Sequence, residues 1–284
     1  MVKCDLFKQI LRFNQEELKE YCKMMLEYYD YDIINEDGFL YGKGDIPIMF
    51  IAHLDTVHKD RPTEIYFDSE QGIMWSPQGI GGDDRCGIYT IIKLLKHYKP
   101  YILFLEDEEI GGLGASKCAD KLEKPDVKFL VELDRRGRND CVFYQCDNKE
   151  FKEYIQKFGF DLKIGTYTDI CDLSPKWDIA SVNLSIGYNN EHTFYETINV
   201  NYMIETFNKI KKILEDDDDT YFDFQEDTQC RFNFYYNTDK NKGKDDDEED
   251  YKPTKFHKGN YYDDYGYIDD NDNYIYWDEL KEEY

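Results

Sequence analysis

The sequence has few of the features that mark several common protein classes. Its eight cysteines include no CxxC pair, and the closest two are Cys141 and Cys146; neither a disulfide framework nor a thiolate zinc site is therefore predicted. We expect free thiols in a reducing compartment, the cytoplasm. Residues 1–13 lack the apolar core of a secretory signal. No apolar run reaches the length of about 18 residues that would predict a membrane span.

Basic residues are scarce as well. Lysine and arginine together number 35, against 61 aspartates and glutamates, which gives a formal net charge of −26. Such a charge disfavours a protein that binds nucleic acid by neutralising phosphates, and it suits one that binds cations. Hydrophobic residues still make up 41% of the chain, enough for a sizeable core. We predict neither a nucleic-acid partner nor a membrane partner.

The apolar residues that are present alternate between helical and strand periods. Helices are predicted at 6–28, 87–98, 114–122, 149–158 and 200–214, and strands at 46–52, 101–105, 127–133 and 179–186, after a hairpin at 31–41. This alternation indicates an α/β fold, a three-layer α/β/α sandwich with a central mixed, mostly parallel sheet. Such sheets bind ligands at the carboxyl ends of their strands, so that edge is where chemistry is expected.

The composition changes abruptly after Leu214. Residues 215–284 hold 24 acidic and 8 basic residues and are rich in tyrosine. A plain acidic tail would be disordered, but the aromatic residues here could support some structure, including a hairpin at 267–277. We divide the chain into an α/β domain at 1–214 and an acidic, aromatic-rich C-terminal extension at 215–284, an accessory region whose order is left open.

The first motif at a strand end is His53-Leu54-Asp55, which follows the predicted strand 46–52. Residues i and i+2 of a strand project to the same side. His53 could therefore bind a metal while Asp55 orients its ring. Taken alone, the motif is more typical of a solvated histidine at a strand end than of a metal ligand.

The second motif, GIGGDDRCG at residues 79–87, leads into a helix and contains the adjacent pair Asp83 and Asp84. Its glycines indicate an unusual backbone path, which could bring an aspartate to a metal ion. The alternative is that the aspartates only cap the N-terminus of the helix.

The third motif comes directly after the predicted strand 101–105 and holds four adjacent carboxylates, from Glu106 to Glu109. Such carboxylates repel one another, so they need nearby cations or raised pKa values. Because adjacent residues point in different directions, one could ligate a metal while its neighbour reaches the reacting water. A solvated acidic loop is the alternative in so acidic a chain.

The fourth motif contains Glu132 and Asp134, with Arg135 and Arg136 directly after them. Glu132 and Asp134 are two residues apart at the end of a predicted strand, so both would face the same side. The residues alone do not choose between these two carboxylates. By charge and position, Arg135 or Arg136 could hold the carboxylate of a substrate.

The fifth motif carries His192 and follows the predicted strand 179–186. Each motif is weak evidence by itself, but together they bring carboxylates and imidazoles to one sheet edge without cysteine, which indicates a site for divalent cations. Two ions about 3.5–4 Å apart would need a bridging carboxylate, the arrangement that activates water in two-metal hydrolases. The other histidines are predicted to be incidental: His58, His97 and His257.

The order of these motifs, HxD, GxDDxxG, DEExGG, a single carboxylate and a final histidine, resembles that of the co-catalytic di-zinc exopeptidases. This superfamily includes peptidase T, aminoacylase, and zinc carboxypeptidase and aminopeptidase relatives. The resemblance covers residues 46–214 and implies that 1–214 is a catalytic domain that holds two divalent ions, zinc in the first place, with cobalt or manganese as alternatives. The implied metal ligands are His53, Asp83, Glu109, Asp134 and His192.

The resemblance also implies the remaining roles. Asp83 would bridge the two ions and be followed by a cis peptide bond, Asp55 would orient His53, and Glu108 would be the general base that takes a proton from water. The segment 165–169, which ends at Asp169, resembles part of a substrate pocket in relatives.

The sequence departs from many of these relatives in one large feature. They insert a lid and dimerisation domain between the fourth and fifth motifs, and here Asp134 and His192 are too close for one. Arg85 also stands where relatives often have lysine. The oligomeric state, monomer or homodimer, is left open.

The predicted function is hydrolysis of a peptide or N-acyl amide bond in short peptides or acyl amino acids. One alternative is a catalytically inactive binding protein that keeps the fold and acts through its acidic C-terminal region. Another is an acidic mimic of nucleic acid that acts through the same region.

Overall fold

The computed structural model describes residues 3–227, 262–263, 266–268 and 274–276. Its main sheet contains β1 (Asp32–Glu36), β2 (Phe39–Lys43), β3 (Ile46–His53), β6 (Pro100–Leu105), β7 (Leu130–Arg135), β8 (Asp140–Val142), β9 (Asp161–Lys163) and β10 (Ser181–Ser185). The strand order is β1-β2-β6-β3-β7-β10-β8-β9. Four of the seven strand pairs are parallel, including the three central pairs β6-β3, β3-β7 and β7-β10.

The central strands are apolar because helices cover both of their faces. In β3, for example, Phe50 packs into one core and Ile51 into the other, as the alternating side-chain directions of a strand require. The larger core is covered by α1 (Lys3–Ile10), α2 (Gln15–Tyr28), α3 (Gly82–Leu94), α5 (Lys149–Gln156) and α7 (Val200–Leu214), and the smaller one by α4 (Leu113–Lys121) and α6 (Ile170–Trp177). The predicted three-layer sandwich with a mixed sheet is confirmed.

The helix predicted at 6–28 is wrong in one respect, because the chain forms two helices there, α1 and α2. Asn14 starts the second one: its side chain accepts a hydrogen bond from the Glu17 backbone N–H at 2.8 Å, and the Glu17 carboxylate accepts one from the Asn14 N–H at 3.1 Å. This reciprocal cap satisfies amide groups that a new helix leaves unpaired. The chain can therefore turn although its apolar period continues.

Several short elements were not predicted. They include α6 and the two strands at one end of the main sheet, β8 and the edge strand β9. They also include a second sheet in the order β11-β12-β5-β4, built from β4 (Tyr66–Asp68), β5 (Ile73–Trp75), β11 (Tyr188–Asn189) and β12 (Thr197–Asn199). Such short segments are hard to recognise by periodicity. The second sheet matters for the site because the connection from β11 to β12 carries His192.

The residues just after α7 lie against the domain. The Phe222 ring is buried, with its centroid 5.2 Å from that of Phe151, and its carbonyl accepts the Ala180 N–H at 2.8 Å. Farther along, β13 (Tyr262–Asp263), β14 (Gly266–Ile268) and β15 (Tyr274–Tyr276) pair antiparallel. The hairpin predicted at 267–277 is thus confirmed for the residues described, while the domain boundary at 214 stays a prediction.

Among the described residues, no helix combines the length and the apolar character needed to cross a membrane.

Candidate metal centre

The predicted ligands lie at the carboxyl edge of the central strands, as expected for a parallel sheet. His53 is the last residue of β3, Asp134 lies near the end of β7, and Glu109 follows β6. Asp83 lies in the first turn of α3, and His192 lies between β11 and β12. The fold thus brings together side chains from five separate segments.

Five side chains form two groups of three that could each hold a metal ion. One group is His53, Asp83 and Asp134, the other is Asp83, Glu109 and His192, and the donor atoms within each group lie within 4.8 Å of one another. His53 Nε2 is 2.9 Å from Asp83 Oδ1 and 3.4 Å from Asp134 Oδ1. His192 Nε2 is 3.2 Å from Asp83 Oδ2 and 2.9 Å from Glu109 Oε2. Asp83 therefore belongs to both groups and turns one oxygen toward each histidine.

The two adjacent aspartates of the second motif have different surroundings. The peptide bond between Asp83 and Asp84 is cis, as the resemblance implied, and both residues have non-helical backbone angles within α3. Asp84 Oδ1 accepts a hydrogen bond from the Gly87 N–H at 3.0 Å. Of the pair, only Asp83 is a member of the two ligand groups.

Asp55 lies behind His53, where the resemblance predicted it. Its Oδ1 is 3.1 Å from His53 Nδ1, and its carboxylate also accepts the backbone N–H groups of Glu108 at 3.1 Å and Glu109 at 3.0 Å. Burial raises the pKa of Asp55, but the hydrogen bond and the charge of His53 outweigh burial and lower that pKa below its usual value. Asp55 is thus a charged acceptor that holds both the ring of His53 and the loop of Glu108 and Glu109.

The side chain of Asp134 is held by two hydroxyl groups. Tyr188 donates to its Oδ1 at 2.9 Å, and Thr168 donates to its Oδ2 at 3.1 Å. Glu132, which the sequence left as an equal candidate, is buried on the same strand but is not a member of either ligand group. The geometry therefore brings Asp134 to His53 in preference to Glu132.

The crowded carboxylates have shifted pKa values. Burial, with a contribution from Asp83, raises the pKa of Glu109 to about 8 and that of Asp134 to about 7. Burial also raises the pKa of Asp83, but its hydrogen bonds with His192 and His53 prevail and lower that pKa below its usual range. The hydrogen bond with Asp83 is the main cause that raises the pKa of His192 to about 9. Nearby cations would allow all these carboxylates to be charged together.

The donor set fits divalent cations. Glu109 Oε1 is buried and has no hydrogen-bond partner in the described part of the chain, and a bound cation would satisfy such an atom. The donors are imidazole nitrogens and carboxylate oxygens, which suit zinc and other borderline or hard divalent metals. His53 is buried, whereas 53% of the His192 side chain is exposed. The centre therefore opens to solvent on the side of His192.

The predicted base and the substrate-binding candidates surround this centre. Burial raises the pKa of Glu108, and the charge of Asp83 adds to that rise against the opposing effect of His53. Arg136 forms an ion pair with Glu191 at 2.7 Å. Arg135 has weaker contacts: its Nη2 donates to the Ile164 carbonyl at 3.4 Å, and its Nε lies 3.9 Å from Asp140 Oδ2.

Asp169 is fully buried, directly before α6. Neither of its carboxylate oxygens has a hydrogen-bond partner within the described ranges. Burial raises the pKa of Asp169 well above its ordinary value, and the charge of Glu108 raises it further. Asp169 thus lies close enough to the centre for its charge to be coupled to that of the predicted base.

His58, predicted to be incidental, has a defined partner close to the second motif. The ring of His58 is buried, and its Nε2 lies 2.8 Å from Glu196 Oε2. Glu196 was not selected from the sequence either, although it stands four residues after His192. Its carboxylate accepts the backbone N–H groups of Gly81 at 3.0 Å and Asp83 at 2.9 Å.

The two other histidines predicted to be incidental have different outcomes. His97 is exposed just beyond the end of α3. His257 lies outside the described residues.

No protein-family model matches the sequence, and no curated protein matches it. Solved structures do match the fold. Aminopeptidase PepT from Bacillus cereus superposes with a TM-score of 0.64 at 13% identity, over 75% of this chain and 97% of that one. A tripeptidase from Staphylococcus aureus gives 0.61 at 12% identity, over 75% and 98%. A TET aminopeptidase from a marine sediment archaeon gives 0.57 at 14% identity, over 76% and 97%.

These similarities agree with the resemblance carried by the motifs. The chain has the fold of these peptidases, with a mixed sheet and helices on both of its faces. At such low sequence identity, the comparison concerns the fold, and the chemistry has to be argued from the site itself.

Proposed function

We propose that the chain is a two-metal hydrolase that cleaves a peptide or N-acyl amide bond in short peptides or acyl amino acids. The observation that carries the proposal is the position of Asp83, whose oxygens lie 2.9 Å from His53 Nε2 and 3.2 Å from His192 Nε2. A carboxylate shared by two ligand groups is what a pair of metal ions about 3.5–4 Å apart requires. The fold, which is that of aminopeptidases and a tripeptidase, supports this reaction class.

In this proposal, each of the two ligand groups holds one ion. When bound, the ions would lower the pKa of a water molecule and polarise the scissile carbonyl group. Zinc is the first choice for a site made of imidazole and carboxylate donors, and cobalt or manganese are alternatives. Asp55 keeps the ring of His53 oriented so that Nε2 faces the ion.

Glu108 is proposed as the general base. Its backbone N–H donates to Asp55, and this bond holds Glu108 beside the ligand groups. The pKa of Glu108 is raised toward neutral pH. A base with such a pKa can take a proton from water and then deliver it to the leaving nitrogen.

Substrate binding is proposed to involve Arg135 and Asp169. Arg135 is the better candidate of the two arginines for a substrate carboxylate, because Arg136 is already paired with Glu191. Asp169 would belong to the substrate pocket beside Glu108, whose charge raises the pKa of Asp169. The proposed compartment is the cytoplasm, where the six free cysteines of the described chain would stay reduced.

Metal analysis tests the proposal directly. In a metal-replete sample, elemental mass spectrometry is expected to find about two zinc-like ions per chain. Removal of the ions by a chelator should abolish hydrolysis in a library of short peptides and acyl amino acids, and zinc, cobalt or manganese should restore it. A metal-replete protein without bound ions, or hydrolysis that survives chelation, would contradict the proposal.

Metal binding is also expected to release protons. In the metal-free protein the pKa values are about 8 for Glu109, about 7 for Asp134 and about 9 for His192, so these groups hold protons around pH 7. Metal ligands bind in their deprotonated forms, so affinity should rise as the pH increases from about 7 to about 9. Calorimetric titration with zinc in two buffers of different ionisation enthalpy should show a net release of protons, and identical heats in the two buffers would be evidence against it.

A further inference from the structure

Glu196 and His58 lie outside the two ligand groups, yet they connect the loops that carry the ligands. We propose that Glu196, with His58 as a hydrogen-bond donor to it, is a positioning residue that fixes Asp83 between the two metal ions. The inference rests on the proposed function, since it takes Asp83 to be the shared ligand.

Both carboxylate oxygens of Glu196 are buried and accept hydrogen bonds. The side chain has no exposed surface, and its Oε1 accepts the backbone N–H of Asp83 at 2.9 Å. Its Oε2 accepts the backbone N–H of Gly81 at 3.0 Å and lies 2.8 Å from Nε2 of His58. A buried carboxylate is unfavourable unless donors surround it. Glu196 therefore stays in this position only while the three donors do.

The partners of Glu196 belong to different parts of the metal centre. His58 follows the motif that carries His53 and Asp55, and Gly81 and Asp83 belong to the second motif. Glu196 itself ends the loop that begins after β11 and carries His192. One carboxylate thus joins three of the segments that supply ligands, and its bond to the Asp83 N–H acts on the residue that both ligand groups share.

The backbone of the two loops that Glu196 joins is irregular. Gly79 and Gly81 have φ values of +82° and +66°, and Asn190 and His192 have φ values of +56° and +63°. Glycine enters this region freely, and asparagine and histidine enter it more often than most other residues, so both loops can follow this irregular path while their contacts to Glu196 join them. A Cβ atom on Gly79 would lie 2.2 Å from Cε1 of His58. The ring is therefore packed directly on the second motif, with its Nε2 toward Glu196.

The role of the hydrogen bond can be separated from that of packing with two substitutions at one position. His58→Phe keeps a ring but removes the N–H donor, whereas His58→Gln removes the ring but keeps an N–H group that can reach Glu196. Glu196→Gln replaces one accepting oxygen by a donor that would face backbone N–H groups. His97→Phe and Glu20→Gln are the matched controls, because both residues are exposed.

The measurements are zinc affinity, by competition with a chromophoric chelator, and the visible absorption spectrum of the cobalt-substituted protein. Glu196→Gln and His58→Phe are expected to bind zinc about 10–100-fold more weakly than the unchanged protein and to have altered cobalt spectra. His58→Gln should retain more affinity than His58→Phe, and the two control variants should bind as the unchanged protein does.

Several results would overturn the inference. Unchanged affinity and spectra in all variants would exclude a positioning role, and tighter binding by His58→Phe than by His58→Gln would show that only packing matters. If circular dichroism shows that Glu196→Gln does not fold, the comparison of the two His58 variants decides. An unchanged protein that binds no zinc would overturn the proposed function and this inference with it, whereas two bound ions with unaffected variants would overturn this inference alone.

Discussion

Replacing Glu108 with glutamine is expected to leave both metal ions bound and to lower the rate of hydrolysis by about 10²–10⁴-fold. Glutamine keeps the length of the side chain and the backbone N–H that donates to Asp55, but an amide cannot accept the proton of the reacting water. Steady-state kinetics on any substrate found in the library, together with the metal content of the same sample, checks both parts of the prediction.

The matched control is Glu106→Gln in the same acidic loop. Glu106 Oε2 accepts hydrogen bonds from Lys19 Nζ at 2.7 Å and from the Gly38 N–H at 2.8 Å, so its carboxylate belongs to the scaffold and the variant should keep the hydrolytic rate. Full activity in Glu108→Gln would mean that another group takes the proton. Loss of metal from that variant would mean that Glu108 is a ligand.

Replacing Asp83 with asparagine is expected to weaken the binding of both ions. Hydrolysis should be lost together with the ions. Loss of a partner in the outer shell of a metal site costs about 10–100-fold in affinity, and loss of a charged ligand common to both groups should cost more. The physical reason is that one Asp83 oxygen faces His53 and the other faces His192. Metal content after dialysis at a fixed free zinc concentration measures the effect.

The adjacent aspartate offers a stringent control for this experiment. Burial and then the charge of Asp134 raise the pKa of Asp84 well above its ordinary value, which favours its uncharged form, and asparagine resembles an uncharged carboxyl group. Its oxygen could still accept the Gly87 N–H. Asp84→Asn is therefore expected to retain two ions, and equal metal loss in the two variants would contradict the assignment of Asp83 as the shared ligand.

Much of the fold could be predicted because its central elements have strong local patterns. Short segments rich in apolar residues indicated β3, β6, β7 and β10, and an apolar stripe at helical spacing indicated α7 with the bounds that the structure has. The break between α1 and α2 was missed because the apolar period runs through it, and the reciprocal cap of Asn14 and Glu17 was not recognised. The strands of the second sheet are too short to have a recognisable period.

The candidate site also has parts that could be predicted from the sequence and parts that could not. The sequence by itself determined which residue types follow each buried strand, since an apolar run and the polar motif after it are local features, and the sheet rule then indicated that His53, Glu109 and Asp134 would meet. The second motif alone left Asp83 and Asp84 open, and the resemblance implied Asp83. The geometry that separates the two came only from the tertiary structure, because the direction of a side chain in an irregular turn depends on the whole path of the backbone.

The contact between His58 and Glu196 lay still further beyond the reach of the sequence. Each residue is unremarkable among its neighbours, and in so acidic a chain a single glutamate carries little information. What distinguishes them is burial, together with the three hydrogen bonds that one carboxylate accepts from segments far apart along the chain. Burial and long-range contacts exist only once the chain has folded, and for that reason the candidate ligands and Asp55 could be predicted from the sequence while His58 and Glu196 could not.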